Sequence, residues 1–233
     1  FFGFSIIYYF GSFSKVPSGD CMGFITDIEK GEFIISTSVY AHFLFSNSLI
    51  LIKKIFPFFD SIEIGRWFTI FFGVSSVSIL YKIIYTITKN NWSSFFGSII
   101  FGLSFTFWRN TEIVEIYTFN IFFIALFILY SVKYFQEKKD KFLLLSSFIL
   151  GISLWNHIQN ILLIPGFLFL LYHSKNWNLI VKSLSIFTIL FLSLFIIPFF
   201  KEESFLIVFK SVSNHNISLN NLPKDLLKSI FYL

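Results

Sequence analysis

Charge is what this chain has least of. Only 13% of its 233 residues are Asp, Glu, Lys or Arg, and 55% are hydrophobic, where a soluble domain carries about 25% charged residues. That shortage excludes an ordinary water-soluble fold and makes an all-α, polytopic membrane protein the expected class. Cysteine is nearly absent as well. The single Cys21 can form no internal disulfide and excludes a Cys-based zinc site. Arginine occurs only at Arg66 and Arg109, and no basic cluster points to nucleic acid. The net charge of +5 is spread over loops, which suits contact with anionic membrane lipids instead. The excess lies in phenylalanine, 37 residues. Ile, Lys, Asn and Ser are abundant beside it, and A/T-rich codons account for the set without an aromatic binding function.

A helix needs about 20 apolar residues to cross a bilayer. Residues 1–13 read as the end of a first span, with no basic n-region or cleavage site of a signal peptide. Residues 14–65 read as a long first extracytoplasmic loop. Within it, 41–56 is amphipathic, carries Lys53 and Lys54, and is expected to lie flat in the interface. Spans are expected at 67–85, 92–108, 116–134 and 179–200, several of them bracketed by Trp or Tyr. The apolar stretch 142–172 is too long for one helix and short for two. Its polar Asn156-His157 and Gln159-Asn160 favour a hairpin, because such a cluster at mid-bilayer is costly. Residues 201–233 form a polar tail with His215 and an amphipathic segment 222–232. The whole, 1–233, is expected to be a single transmembrane domain and the N-terminal part of a longer protein.

Orientation follows from the short loops. Lys133, Lys138, Lys139 and Lys141 make the densest positive cluster, which belongs on the cytoplasmic side. Counting spans from there puts Asp20, Asp27, Glu29, Glu32, His42, Glu112, Glu115, Tyr117, His157 and His215 on the opposite face. Carboxylates and histidines gathered on one face suit general-base chemistry. They could equally bind a divalent ion, and nothing in the sequence requires one, so the cofactor is left unknown. Each residue also has a plain structural use. Asp20, after Ser18-Gly19, suits a helix N-cap. Asp27, Glu29 and Glu32 suit a solvated helix face, and Glu112 suits an i,i+3 pair with Arg109. Glu115 directly precedes a span, at the headgroup boundary, and is harder to explain that way.

Three segments carry a resemblance. Phe107-Trp108, six residues, then Glu115-Ile116-Tyr117 is one. Gly151-Ile152-Ser153-Leu154 before Asn156-His157, with Pro165 after, is a second. Gly19-Asp20 before Phe24-Ile25, followed by His42-Phe43-Leu44-Phe45 and Asn47, is the third. In this order they resemble a family of polytopic membrane proteins similar to protein O-mannosyltransferases, placed among the GT-C glycosyltransferases. The chain departs from the pattern at Phe45, where Tyr is usual, and at Arg109, where a small polar residue is usual.

The resemblance implies transfer of a sugar from a polyprenyl-phosphate donor to an acceptor protein hydroxyl, or to a glycolipid or other glycan, on the extracytoplasmic side. It implies an inverting reaction in a bacterial inner membrane, or in the endoplasmic reticulum of a eukaryote. Asp20 would be the general base, with His42, Glu115, Tyr117 and His157 shaping the pocket around sugar and phosphate. Two other classes compete. A transporter or flippase would place ionisable residues within its spans, and a non-catalytic membrane scaffold would need no gathered site at all.

Overall fold

The computed structural model describes residues 2–11, 20–34 and 42–199, and all regular structure among them is helical. In chain order these are α1 (Phe2–Phe10), α2 (Cys21–Lys30), α3 (Phe43–Ile55), α4 (Ser61–Thr88), α5 (Asn91–Gly102) and α6 (Phe105–Glu112). There follow α7 (Tyr117–Glu137), α8 (Asp140–Asn156), a 3₁₀ turn at Ile158–Leu163, α9 (Ile164–Ser174) and α10 (Trp177–Phe199). The expected all-α membrane class is what the protein has. Among the described residues, three helices are long and apolar enough to cross a bilayer: Ser61–Thr88, Tyr117–Glu137 and Trp177–Leu194.

Helix α4 organises the bundle. Its start is fixed by Asp60, whose side chain accepts the N–H groups of Ile62 at 2.8 Å and Glu63 at 3.4 Å. It begins six residues before the expected span, so Glu63 and Arg66 lie on it. At 28 residues it is about 42 Å long. Helix α7 packs along α4 on one side and α8 on the other, and α10 packs along α8. Phenylalanine supplies much of the seam. Phe24 meets Phe45 at 4.9 Å, Phe45 meets Phe68 at 5.5 Å, and Phe68 meets Phe119 at 5.0 Å. This edge-to-face ladder joins α2, α3, α4 and α7 beneath the site.

The helices share two distinct ends. At one, Lys89 donates to Gln136 Oε1 at 3.3 Å, Gln136 donates to the Thr86 carbonyl, and the rings of Phe135 and His173 meet at 5.0 Å. At the other, Val114 packs on Gly65 and Trp108 on Gly11. Helix α8 therefore runs from the lysine end to the far end, and α9 returns. The stretch 142–172 is two helices, broken at His157.

Two expectations are corrected. Residues 92–108 are not one spanning helix. The chain bends at Leu103-Ser104, separating a 12-residue α5 from α6. Gly102 sits there so tightly against Phe4 and Val77 that a Cβ would meet Phe4 Cε1 at 2.5 Å, and its carbonyl takes the Tyr8 hydroxyl. The amphipathic stretch 41–56 is helical from Phe43, but its apolar face is buried within the protein. Phe45, Leu49 and Ile50 are fully enclosed, and α3 packs on α2, α4 and α8. Asn47 locks it there, its amide donating to the Ile34 carbonyl and accepting the Ile34 N–H, both at 2.8 Å. His215 and the tail lie outside the described residues.

Two glycines on α4 decide how closely the segment before α7 can approach. A Cβ on Gly65 would meet Val114 Cγ1 at 2.6 Å, and one on Gly73 would meet Thr111 Cγ2 at 2.6 Å. Substituting either by Leu is expected to destabilise the protein by about 1–3 kcal/mol, the usual cost of overpacking. Gly23, whose Cβ would meet nothing within 4 Å, is the control. Gly23→Ala should raise stability by roughly 0.5–1 kcal/mol. Thermal unfolding in detergent micelles measures all three.

Candidate active site

Four of the five candidate residues converge at the end opposite the lysines, delivered by four separate segments. Asp20 begins α2, His42 begins α3, Glu115 lies between α6 and α7, and His157 separates α8 from the 3₁₀ turn. The rings of His42 and His157 lie 5.3 Å apart, and Phe24 of α2 lies 6.1 Å from His42. Asp20 acts electrostatically on both His42 and Glu115. The fifth, Tyr117, opens α7 two residues beyond Glu115 and is 49% exposed.

Asp20 occupies the N-cap position of α2, yet its side chain makes no capping hydrogen bond and is exposed. The structural use that its sequence position suggested is therefore not the one it has. Glu115 is the reverse case. It is 8% exposed, and hydrogen bonding from the backbone N–H groups of Asp20 and Ile116 favours its charged form. Burial, helped by the neighbouring Asp20, pushes its pKa up to about 7, while the two N–H groups pull the other way.

The histidines differ from each other in proton placement. His42 Nδ1 lies 3.0 Å from the Asn156 carbonyl, which only accepts, so Nδ1 carries the proton and Nε2 is a free acceptor. His157 Nδ1 accepts the Gln159 N–H at 3.2 Å, so its proton sits on Nε2. Burial lowers both pKa values. The Asn156 carbonyl and Asp20 partly restore that of His42, whereas the His42 ring lowers that of His157 further. The pair thus offers one acceptor and one donor, both neutral near pH 7. His42 is held in the left-handed region, φ 45° and ψ 49°, an uncommon conformation for a side-chain-bearing residue that is enriched at functional positions.

Beneath the histidines, Asn160 donates to Asn120 Oδ1 at 2.7 Å and to the Ser153 carbonyl at 3.1 Å. Asn156 donates to the same Asn120 oxygen at 3.4 Å. Asn120 was not among the sequence candidates, though it falls in the segment that carries the Glu-Ile-Tyr resemblance. Arg66 was missed too. It is 6% exposed, pairs with Glu63 at 2.9 Å and stands over the Tyr9 ring at 5.2 Å. Its signals were arginine scarcity and the i,i+3 spacing from Glu63. Of the carboxylates expected on a solvated helix face, Glu29 and Glu32 are exposed and Asp27 is half-buried. Glu29 accepts the hydroxyl of Ser61 and so ties α2 to the start of α4. Among the described residues no group of three or more His, Cys, Asp or Glu side chains has the arrangement of a metal site.

The model of one protein family, the Protein O-mannosyl-transferase TMEM260 N-terminal domain, matches residues 34–181. The chain belongs to this family. The match runs from the segment after α2 into α10 and takes in His42, Glu115, Tyr117 and His157, while Asp20 lies outside it. No curated protein and no solved structure matches the chain.

The site's pH response has two opposed parts. Glu115 has a folded pKa above its ordinary 4.5, so the folded state loses stability as pH rises from 4.5 to about 7. Each pKa unit is about 1.4 kcal/mol, giving a loss on the order of 3 kcal/mol. The histidines, lowered from 6.5, cost stability as pH falls below 6.5. Glu115→Gln is expected to flatten the first limb and His157→Asn to weaken the second, read from unfolding temperatures between pH 4 and 8.

Proposed function

We propose that this chain forms the reaction site of a membrane glycosyltransferase that moves a sugar, mannose by the family's name, from a polyprenyl-phosphate carrier to an acceptor hydroxyl. The observation that carries this reading is the Asp20 carboxylate. It stands at a helix start without capping it, exposed, within electrostatic reach of the buried Glu115 and of His42, whose ring meets that of His157. In the proposed step Asp20 takes the proton of the acceptor hydroxyl as its oxygen attacks the anomeric carbon. The bond from that carbon to the carrier phosphate breaks, and polyprenyl phosphate leaves with the electron pair. The sugar carbon is inverted. The His157 Nε2–H suits a phosphate or sugar oxygen, the His42 Nε2 lone pair suits a sugar hydroxyl, and Tyr117 forms the exposed wall. The wider GT-C resemblance fits this inverting scheme.

A lipid-linked donor also needs an apolar berth. A cleft of about 530 Å³ lies between α3 and the start of α4, lined by Ile52, Phe56, Phe59, Trp67, Phe68 and Phe71. Ile64, in its wall, adjoins the Gly65 on which Val114 packs. That wall lies at the same end as Asp20, and the apolar lining suits a prenyl chain.

Asp20→Asn keeps the shape and removes the base. It is expected to lower transfer from a polyprenyl-phosphate sugar to a hydroxyl peptide by about 100-fold or more, with membrane insertion unchanged. Transfer at the wild-type rate in reconstituted vesicles would show that Asp20 is not the base. The proposed multi-pass orientation has its own check. With Cys21 replaced by Ser, single cysteines at Asp140 and Lys175 should label from the cytoplasmic side and one at Arg109 from the other.

A further inference from the structure

Three helices stop in the same way at the lysine end of the molecule. Helices α4, α7 and α9 close on Lys89, Lys138 and Lys175, each in the left-handed region at φ 55°, 53° and 52°. That cap position ordinarily goes to Gly, and sometimes to Asn, because a Cβ is strained there. The helix dipole favours a cation near each C-terminus, but it does not ask for one at the strained position itself. All three lysines are exposed. Among the described residues no carboxylate pairs with any of them; Glu137 pairs with Lys139 instead, at 2.6 Å.

Beside these caps an apolar groove of about 340 Å³ runs between α7 and α9. Its α7 wall extends from Phe127 to Gln136, and its α9 wall holds Gly166 and Phe169. The stretch 127–136 rises about 14 Å, close to the depth of one leaflet, half of the roughly 30 Å hydrocarbon core. Two of the lysines reach residues at its polar end. Lys89 donates to Gln136 Oε1 at 3.3 Å, and the Lys138 ammonium lies 4.8 Å over the Phe135 ring. Lys175 follows His173 by two residues, and the His173 ring meets Phe135 at 5.0 Å and Phe169 at 4.5 Å. Gly166 leaves the wall open, because a Cβ there would meet nothing within 4 Å.

We infer that this groove is a binding site for an anionic phospholipid, with an acyl chain seated between α7 and α9 and the phosphate at Lys89, Lys138 and Lys175. Charge complementarity selects the occupant. An anionic headgroup supplies what three ammonium groups without carboxylate partners lack, and basic pockets between membrane helices recognise such headgroups. The site lies at the end opposite Asp20 and does not depend on the sugar-transfer reading.

Native mass spectrometry of the full chain, released from detergent with phosphatidylglycerol or phosphatidylcholine of the same chains, reads the retained lipid directly. Wild type should retain phosphatidylglycerol about tenfold better or more. Saturating phosphatidylglycerol should also raise the unfolding temperature by about 5 °C. Inorganic phosphate should not, and an equal rise with phosphate would assign the lysines to a free anion and overturn the lipid site. Asn accepts the left-handed position, so the triple variant Lys89→Asn, Lys138→Asn, Lys175→Asn should keep the caps and lose the preference. Gly166→Leu should fill the groove, remain folded, and lower phosphatidylglycerol retention about tenfold. Lys30→Asn, on α2 at the other end, should change nothing. Equal retention of the two lipids by wild type, or an intact preference in the triple variant or in Gly166→Leu, would overturn the inference. So would a change from dimer to monomer in Gly166→Leu without loss of lipid, which would give the groove to a second copy of the chain. If the triple variant does not insert, roughly 0.5 M NaCl should more than halve the temperature rise of wild type by screening, and a rise indifferent to salt overturns the inference equally.

Discussion

The close packing of residues 111–114 on α4 is the contact on which the site's geometry depends. It carries Glu115, a carboxylate withdrawn from water and so subject to a desolvation cost. Burial, with Asp20 nearby, pushes its pKa up. The arrangement also has to be delivered. Residues 111–114 reach α4 only because Gly65 and Gly73 present no Cβ, so that Val114 and Thr111 can lie directly on the helix backbone. Glu115 then emerges at a fixed height above α4. The packing of Val114 on α4 thus brings Glu115 into the electrostatic reach of Asp20, far from it in sequence.

The rest of the site is arranged so that its polar groups are already committed. His42 spends its Nδ1 proton on the Asn156 carbonyl, and His157 spends its Nδ1 lone pair on the Gln159 N–H. What remains for a ligand is one Nε2 of each kind. Neutral rings suit this place, because charging either would add to an already desolvated cluster, and each would repel the other at 5.3 Å. The aromatic ladder beneath provides stiffness. Phe24, Phe45, Phe68 and Phe119 hold α2, α3, α4 and α7 in mutual contact, so the abundance of phenylalanine has a packing consequence even where codon bias accounts for its origin.

Hydropathy made the helical class and most element positions legible, because a bilayer leaves few other ways to satisfy the backbone. The same scarcity of polar residues made the site candidates visible. Asp20, His42, Glu115 and His157 are conspicuous among apolar neighbours, and the lysine cluster told which end they share. The break at Leu103-Ser104 was hidden because the sequence stays apolar across it, and only the approach of Phe4 to Gly102 shows why the chain bends. Asn120 escaped for a related reason, since one polar residue near the start of a span reads as an ordinary helix end until Asn156 and Asn160 are seen to converge on it.

Helix α7 relates the two ends of the molecule by length alone. Its 21 residues measure about 31 Å, close to the thickness of a bilayer's hydrocarbon core. At one end Lys138 closes the helix in the left-handed conformation and lies 4.8 Å over the Phe135 ring. Nearby, Lys133 and Lys141 stand over Phe142. Ammonium groups seated on aromatic rings in this way belong at a headgroup boundary, where the rings can be in the apolar layer and the charges in water. With that end fixed, the other end of α7 must emerge at the opposite boundary, and Glu115 precedes it by two residues. The depth of the site is therefore set from across the membrane. It falls at the end opposite the lysines, with the apolar cleft of α3 and α4 lined by Ile64, next to the Gly65 on which Val114 packs.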